Sequence, residues 1–281
     1  CYNKDEVKEF LKNMIRGFLA VLLLTCSALS ASAQNWEGGL FLGASNYRGD
    51  MAPYLVPSET HPAIGVFVKR NLSEFFSFSV SAKQGKISGD DANFDHLKSR
   101  GLSFESNITE LSAVVEFNFF PFLKGLEPDQ FTPYVYSGLA MFRFEPRTTL
   151  NGQTYDLQKF RTEGQGITDD APGQYSNYQP SIPIGGGFKL QLNRRLNLTF
   201  KLGYRATFTD FLDDVSTNYP AQDQLAESAG QTAVALSDRS KGKQFTGKGK
   251  QRGNPQNNDW YIFSGFTISY NIENPECFEF N

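Results

Sequence analysis

From residue 196 to 208 the chain sets Leu196, Leu198, Phe200, Leu202, Tyr204, Ala206 and Phe208 against Asn197, Thr199, Lys201, Gly203, Arg205 and Thr207. Strict alternation is the period of a strand with two unlike faces. The same period returns in 76–83, 111–119, 182–192 and 260–272. It returns more faintly in 36–46, 63–70 and 131–145, where glycine or two-sided apolar character blurs the faces. Past residue 33 no segment repeats apolar residues convincingly at helical spacing over three turns, so the pattern predicts eight strands and an all-β fold.

The connections between these strands alternate as well. Short ones fall at 71–74, 121–130 and 193–195, and long ones at 47–59, 85–102, 146–180 and 209–258. Loops of that length are uncommon in a compact soluble domain. Short turns at one end and long loops at the other give an eight-stranded antiparallel up-and-down transmembrane β-barrel, with short periplasmic turns and long extracellular loops. Alternation alone does not say which face meets water. A soluble lipocalin-like barrel would turn its apolar face inward around an apolar ligand. Three features favour lipid outside: strands of ten residues or more, a polar face of Ser, Thr, Gly and Asn, and aromatics at strand ends. The aromatics are Trp36, Phe75, Phe76, Phe119, Phe120, Phe131, Tyr134, Phe208, Trp260 and Tyr261, placed as interfacial girdles. Eight strands leave an interior that side chains fill. Lys83, Glu110, Glu116, Lys189, Lys201 and Arg205 are expected there as cross-barrel ion pairs, since an unpaired interior charge costs several kcal/mol.

Composition adds the compartment. Residues 14–33, MIRGFLAVLLLTCSALSASA, have the basic start, apolar run and small-residue end of a secretory signal peptide. Residues 1–13 then read as a gene-model extension and 34–281 as the barrel domain. Acylation at Cys26 would need a small residue before it, and Thr25 fits poorly. Past the leader only Cys277 remains, so no disulfide is expected within the mature chain. The chain has 26 Phe and 12 Tyr but only 2 His, and a net charge of −3. That composition suits strands and leaves little for histidine-dependent catalysis.

Candidate chemistry is sparse. His61 and His96 fall in long connections with no evident Ser or carboxylate partner, and read as surface histidines. Asp210, Asp213 and Asp214 could offer oxygen ligands to Ca²⁺, but their spacing matches no calcium loop; a lid contact suits them better. The run 237–254 carries Arg239, Lys241, Lys243, Lys248, Lys250 and Arg252 with Gly and Gln. It reads as a mobile solvated loop, with attraction to anionic headgroups as the alternative. No stacking platform accompanies it, so nucleic acid is not expected. No catalytic residue, metal or cofactor is expected, and the chain is read as a non-enzyme.

Three stretches carry a resemblance: GLFLGASNYRGDM on the first strand, RGLSFESNITELSAVVEFNFFPF on the fourth, and GYRATFTDFLDDVS leaving the seventh. Together they resemble the Bacteroidetes outer-membrane β-barrel family that includes PorG, a type IX secretion system protein. The resemblance covers nearly all of the mature chain. It implies an outer-membrane barrel, multi-pass in a Gram-negative bacterium, that contacts a PorK/PorN ring on its periplasmic side. Candidate contacts are 71–74, 121–130, 193–195 and the tail 273–281. The matching positions are Tyr47, Gly49 and Asp50 in a Tyr-x-Gly-Asp pattern, then Phe208, Asp210, Asp213 and Asp214. The family implies no catalysis at any of them. Loops 146–180 and 209–258 depart from its shape, which keeps open an OmpA/OmpX-like surface barrel whose loops bind extracellular ligands.

The same motif holds Arg48-Gly49-Asp50, an adhesion tripeptide in form. With Arg48 in the variable slot, the tripeptide reads as accidental. Tyr47 is expected to anchor the membrane interface, Gly49 to supply the positive φ of a tight turn, and Asp50 to hydrogen-bond its own loop.

Overall fold

Each strand exists because its residues give it one face of branched and aromatic side chains and another of small polar ones. In the computed structural model, which describes residues 36–122, 130–167, 171–240 and 247–272, these strands are β1 (Trp36–Arg48), β2 (His61–Asn71), β3 (Phe76–Asp90), β4 (Ser103–Asn118), β5 (Phe131–Leu150), β6 (Gln153–Asp156), β7 (Tyr178–Gln191), β8 (Leu196–Thr207) and β9 (Trp260–Ile272). All lie within one unit, Asn35–Glu273. The expected extension, the signal peptide 14–33 and the tail 273–281 lie outside the described residues.

Every pairing is antiparallel, and the order β4-β3-β2-β1-β9-β8-β7-β5 closes on itself because β4 also pairs with β5. Register runs from Trp36↔Ile272 to Arg48↔Trp260 at the β1–β9 seam. The fold is therefore a closed eight-stranded up-and-down barrel, and closure leaves no free edge around the wall. The ninth strand, β6, folds back on the outer end of β5 from Arg147↔Asp156 to Leu150↔Gln153. Its turn is Asn151-Gly152, both at positive φ (52° and 80°), the conformation that suits a two-residue hairpin.

The parity is apolar side out. Leu139 is 72% exposed and Leu111 60%, with Leu40, Leu42, Ile64, Phe188 and Phe266 on the same outer surface. Facing inward, Arg205, Lys189 and Glu110 are each 1% exposed. An apolar lipocalin core is thereby overturned. Two assigned girdle aromatics also turn the other way: Tyr134 and Tyr261 are buried in the interior. Phe75, Phe76, Phe119, Phe120 and Phe131 do ring the outer wall at the short-turn end.

Short turns are held by side chains that imitate backbone acceptors. Ser73 Oγ accepts from the N–H groups of Phe75 and Phe76. Asn193 Oδ1 accepts from those of Arg195 and Leu196 at 2.8 and 2.9 Å. At the other end the long connections are more structured than their polarity suggests. One carries the one-turn helix α1 (Leu157–Phe160), and another carries α2 (Gln222–Ser237), broken where Gly230 takes φ 84°. That break explains why the sequence shows no helical period over three turns. Among the described residues no helix is long and apolar enough to cross a membrane, which says nothing of the strands.

Candidate functional site

The interior is built in layers of ion pairs. Nearest the short turns, Glu37 takes Lys69 at 2.8 Å, Asn71 at 2.6 Å and the Ser269 hydroxyl at 2.9 Å. Beside it, Glu116 pairs with Lys189 at 2.7 Å and Lys201 at 3.5 Å. These lysines also rest on ring faces, Lys189 over Tyr134 at 4.5 Å and Lys201 over Tyr136 at 3.9 Å. Cation–π contact of this kind compensates part of a buried cation's lost hydration. Farther out, Glu110 accepts from Arg205 Nε at 2.8 Å, Arg205 Nη2 at 3.2 Å, Lys83 Nζ at 3.1 Å and Tyr261 Oη at 3.0 Å. All six charges expected in the lumen lie there.

Glycine makes room for the inward rings. A Cβ at Gly203 would stand 1.7 Å from Tyr136 Oη. About 20 Å³ of water-accessible space remains beside Phe41, Lys69, Lys83, Glu116, Tyr134 and Lys201, room for roughly one water. Among the described residues, inward side chains fill the lumen at this level.

Above it the long connections close over the barrel mouth around an apolar centre that includes Met51, Leu102, Leu157, Leu212, Val215 and Leu236, all buried. Buried polar pairs tie the connections together. Arg100 grips Asp91 with Nε at 2.8 Å and Nη2 at 2.6 Å, and donates to the carbonyls of Arg252 and Asp50. Glu163 accepts from Arg252 Nη1 at 2.9 Å and from the N–H groups of Ser216 and Thr217. Asp214, at φ 62°, accepts from Tyr175 Oη at 2.7 Å and from the Thr162 hydroxyl.

At the centre of this cap, Tyr47 Oη lies 2.6 Å from Asp213 Oδ2 and 2.9 Å from Asp259 Oδ1. Asp213 Oδ1 accepts from Val215 N–H and Asp259 Oδ2 from Leu212 N–H. Burial first, then the Asp50 charge, pushes the Asp213 carboxyl up to about 8. Burial and the neighbouring Asp213 charge hold Asp259 well above its ordinary range. Asp210 is pushed up to about 9, again by burial ahead of its neighbours, and Asp214 to about 6 despite Arg252.

The motif positions therefore differ in detail from their expected roles. Tyr47 points into the cap, not to a membrane interface. Gly49 is not among the positive-φ glycines; it is needed because a Cβ there would meet Asp259 Oδ1 at 1.9 Å and Tyr47 Oη at 2.1 Å. Asp50 accepts not from its own loop but from Asn254 N–H at 2.7 Å, 204 residues away. Arg48, exposed, donates to the Pro53 carbonyl. Phe208 is 60% exposed on the outer wall, whereas Asp210, Asp213 and Asp214 are all buried in the cap, as a lid contact requires. Among the described residues no three His, Cys, Asp or Glu side chains are set to hold a metal ion.

The cationic run is also not uniformly solvated. Arg252 is buried against Glu163, and Arg239 donates to Ser103, Thr148 and the Thr149 carbonyl. Lys248 and Lys250 are exposed, and Lys241 and Lys243 lie outside the described residues. His61 opens β2 and its Nε2 lies 2.6 Å from Ser88 Oγ, a partner its sequence neighbourhood did not reveal. Glu59 binds the same Ser88 hydroxyl and not the imidazole, so the three do not form the Ser-His-carboxylate relay of a hydrolase.

The chain belongs to the family described as a domain of unknown function (DUF6089), whose profile matches residues 16–230. No curated protein matches it. Among solved structures it is similar to the N-terminal β-barrel domain of Pseudomonas aeruginosa OprF, at 11% identity and TM-score 0.36, over 86% of this chain and 98% of that one. It is also similar to Neisserial surface protein A, at 8% identity and TM-score 0.41, over 86% and 98%. A third is Ail, the attachment invasion locus protein of Yersinia pestis, at 7% identity and TM-score 0.40, over 85% and 97%. The barrel class stands on this chain's own strand pairings and not on these likenesses.

Proposed function

We propose that the protein is a non-enzymatic barrel of the outer membrane of a Gram-negative bacterium, closed to traffic, that serves as a structural component of type IX protein secretion. The observation that carries the membrane reading is the parity of the wall. Leu40, Leu42, Leu111, Leu139, Phe188 and Phe266 stand outward while the charges pair inside. In water so continuous an apolar belt would drive association; in hydrocarbon it is the ordinary lining of a spanning barrel. The filled lumen supports a positional role over a conducting one.

The export part of the reading rests on the sequence resemblance. In it the rigid wall presents its short turns to a PorK/PorN-like ring, through 71–74 and 193–195. The other candidates are 121–130, of which 123–129 lie outside the described residues, and the tail 273–281, also outside. Photo-crosslinkers at Leu72 and Arg194 in the native organism test it. Capture of a periplasmic ring protein is the expected result; intact barrels that capture none would remove the export role and leave the membrane reading in place.

One observation favours a second reading, a surface barrel that binds an extracellular ligand. A pocket of about 680 Å³ opens at the loop end, lined by Arg48, Asp50, His96, Asn257 and Trp260 among others. Protease shaving of the loops separates the two. Export should survive it, and ligand binding should not.

A further inference from the structure

We propose that the segment leaving β8 is locked into the barrel mouth by one proton shared between Asp213 and Asp259 through the Tyr47 hydroxyl, so that the plug loosens when that proton leaves. A phenol has one proton to donate, yet Tyr47 Oη has two carboxyl oxygens within 2.9 Å. If both carboxylates were ionised, one of them would face the tyrosine oxygen lone pair to lone pair, in a site from which water is excluded. The remaining oxygen of each aspartate already accepts a backbone N–H, from Val215 and Leu212. A proton on the Tyr47-facing oxygen of either aspartate resolves the conflict: that acid donates to Tyr47, and Tyr47 donates to the other.

Among the described residues no cationic side chain bonds to Asp213 or Asp259 in place of the proton. Asp50 and Asp210 add negative charge from the first loop and from the same segment. Arg100 acts on Asp213 from the second loop, but four of its N–H groups bond Asp91 and two backbone carbonyls, and its bonds to carboxylate go to Asp91. Arg252 is bonded to Glu163 and to the Asp214 carbonyl. Losing the shared proton would leave two buried like charges on one phenol oxygen, which is strongly unfavourable.

The upward displacement of both aspartates agrees with a shared proton. A carboxyl whose folded value is raised binds a proton in the closed plug that the open one releases. Its stabilisation is fully present below the ordinary carboxylate range and is lost as pH climbs through the raised value, about 8 at Asp213. For each such proton the opening constant grows by up to about tenfold per pH unit.

Hydrogen exchange at the Leu212 and Val215 amides reads the opening, in the full-length barrel refolded into detergent micelles and corrected for base-catalysed exchange. In the wild type, protection should fall with rising pH. In Asp213→Asn or Asp259→Asn, the side-chain amide can donate to Tyr47 while its carbonyl keeps the backbone N–H. The slope should then drop by about one tenfold step per pH unit. A flat wild-type profile, or equal slopes in all three proteins, overturns the proposal. Should neither variant fold, the infrared carbonyl band of protonated aspartate in ¹³C-Asp-labelled wild type decides. A band present at pH 7 and moved by Tyr47→Phe supports the shared proton; a band absent or unmoved overturns it.

Discussion

Tyr47 and Asp213, 166 residues apart, meet at 2.6 Å between phenol oxygen and carboxyl oxygen. With Asp259 as the second partner, this contact joins the end of β1, the segment after β8 and the start of β9. Tyr47→Phe removes the joint while keeping the ring packed on Phe104, whose centroid is 4.8 Å away. Two buried carboxyls then lose their common partner, and each group so orphaned costs about 1–3 kcal/mol. The cap should become protease-sensitive between β8 and β9 while the barrel strands keep their protection. Unchanged cleavage would mean that the phenol contributes nothing to closure.

Gly49→Ala should loosen the same cap by a steric route. Its Cβ would press on Asp259 Oδ1 and Tyr47 Oη, and overpacking of this kind costs about 1–3 kcal/mol. Because part of the clash is with the hydroxyl, Gly49→Ala combined with Tyr47→Phe should cost less than the sum of the two singles. Additive effects in denaturant unfolding would instead point to a backbone role for the glycine.

Much of this architecture was legible in the sequence, and the part that was not shares one physical cause. A barrel strand is a local statement repeated every two residues, so Leu198, Phe200 and Leu202 declare their face without help from anything distant. The ion-paired lumen follows from the opposite parity of Lys201 and Arg205. The cap has no period. It is made of single contacts between segments far apart in the chain, such as Arg252 with Glu163 and Asp50 with Asn254. The aspartates of FTDFLDDVS could be suspected as lid residues, but not their partners. Tyr134 and Tyr261 differ from the expectation because a tyrosine suits both a membrane interface and a polar lumen; only parity with Tyr136, or against the exposed Phe266 and Ile268, distinguishes the two. The hairpin of β5 with β6 has a local signal, Asn151-Gly152, but it lies inside a long polar connection with no alternation of its own.

The lumen layers give an expectation for stability. Glu110→Gln leaves Arg205 and Lys83 buried without their carboxylate, and breaking a buried pair from one side costs about 3–5 kcal/mol. Glu105→Gln, which breaks a half-exposed pair with Lys86, should cost about 0–1 kcal/mol. Unfolding of the refolded barrel by denaturant compares the two. Equal costs would imply that water reaches the lumen.

Substitution on the outer wall distinguishes lipid from water. Leu139→Arg places a charge at one of the most exposed apolar positions of β5. In a bilayer it should destabilise the barrel by about 2–4 kcal/mol if Leu139 lies near the midplane. Facing water, the same change would be close to neutral.

The most direct measurement of the membrane reading is a scan of spin labels along β8, one cysteine at a time in a background with Cys1, Cys26 and Cys277 changed to Ser, with the barrel in lipid vesicles. Labels at Leu198, Phe200, Leu202 and Tyr204 should collide freely with dissolved oxygen and hardly at all with a water-soluble nickel complex. Those at Thr199, Lys201 and Arg205 should be shielded from both. Even-numbered positions open to nickel, or shielded inside while their odd-numbered neighbours meet lipid, would contradict an apolar wall facing hydrocarbon.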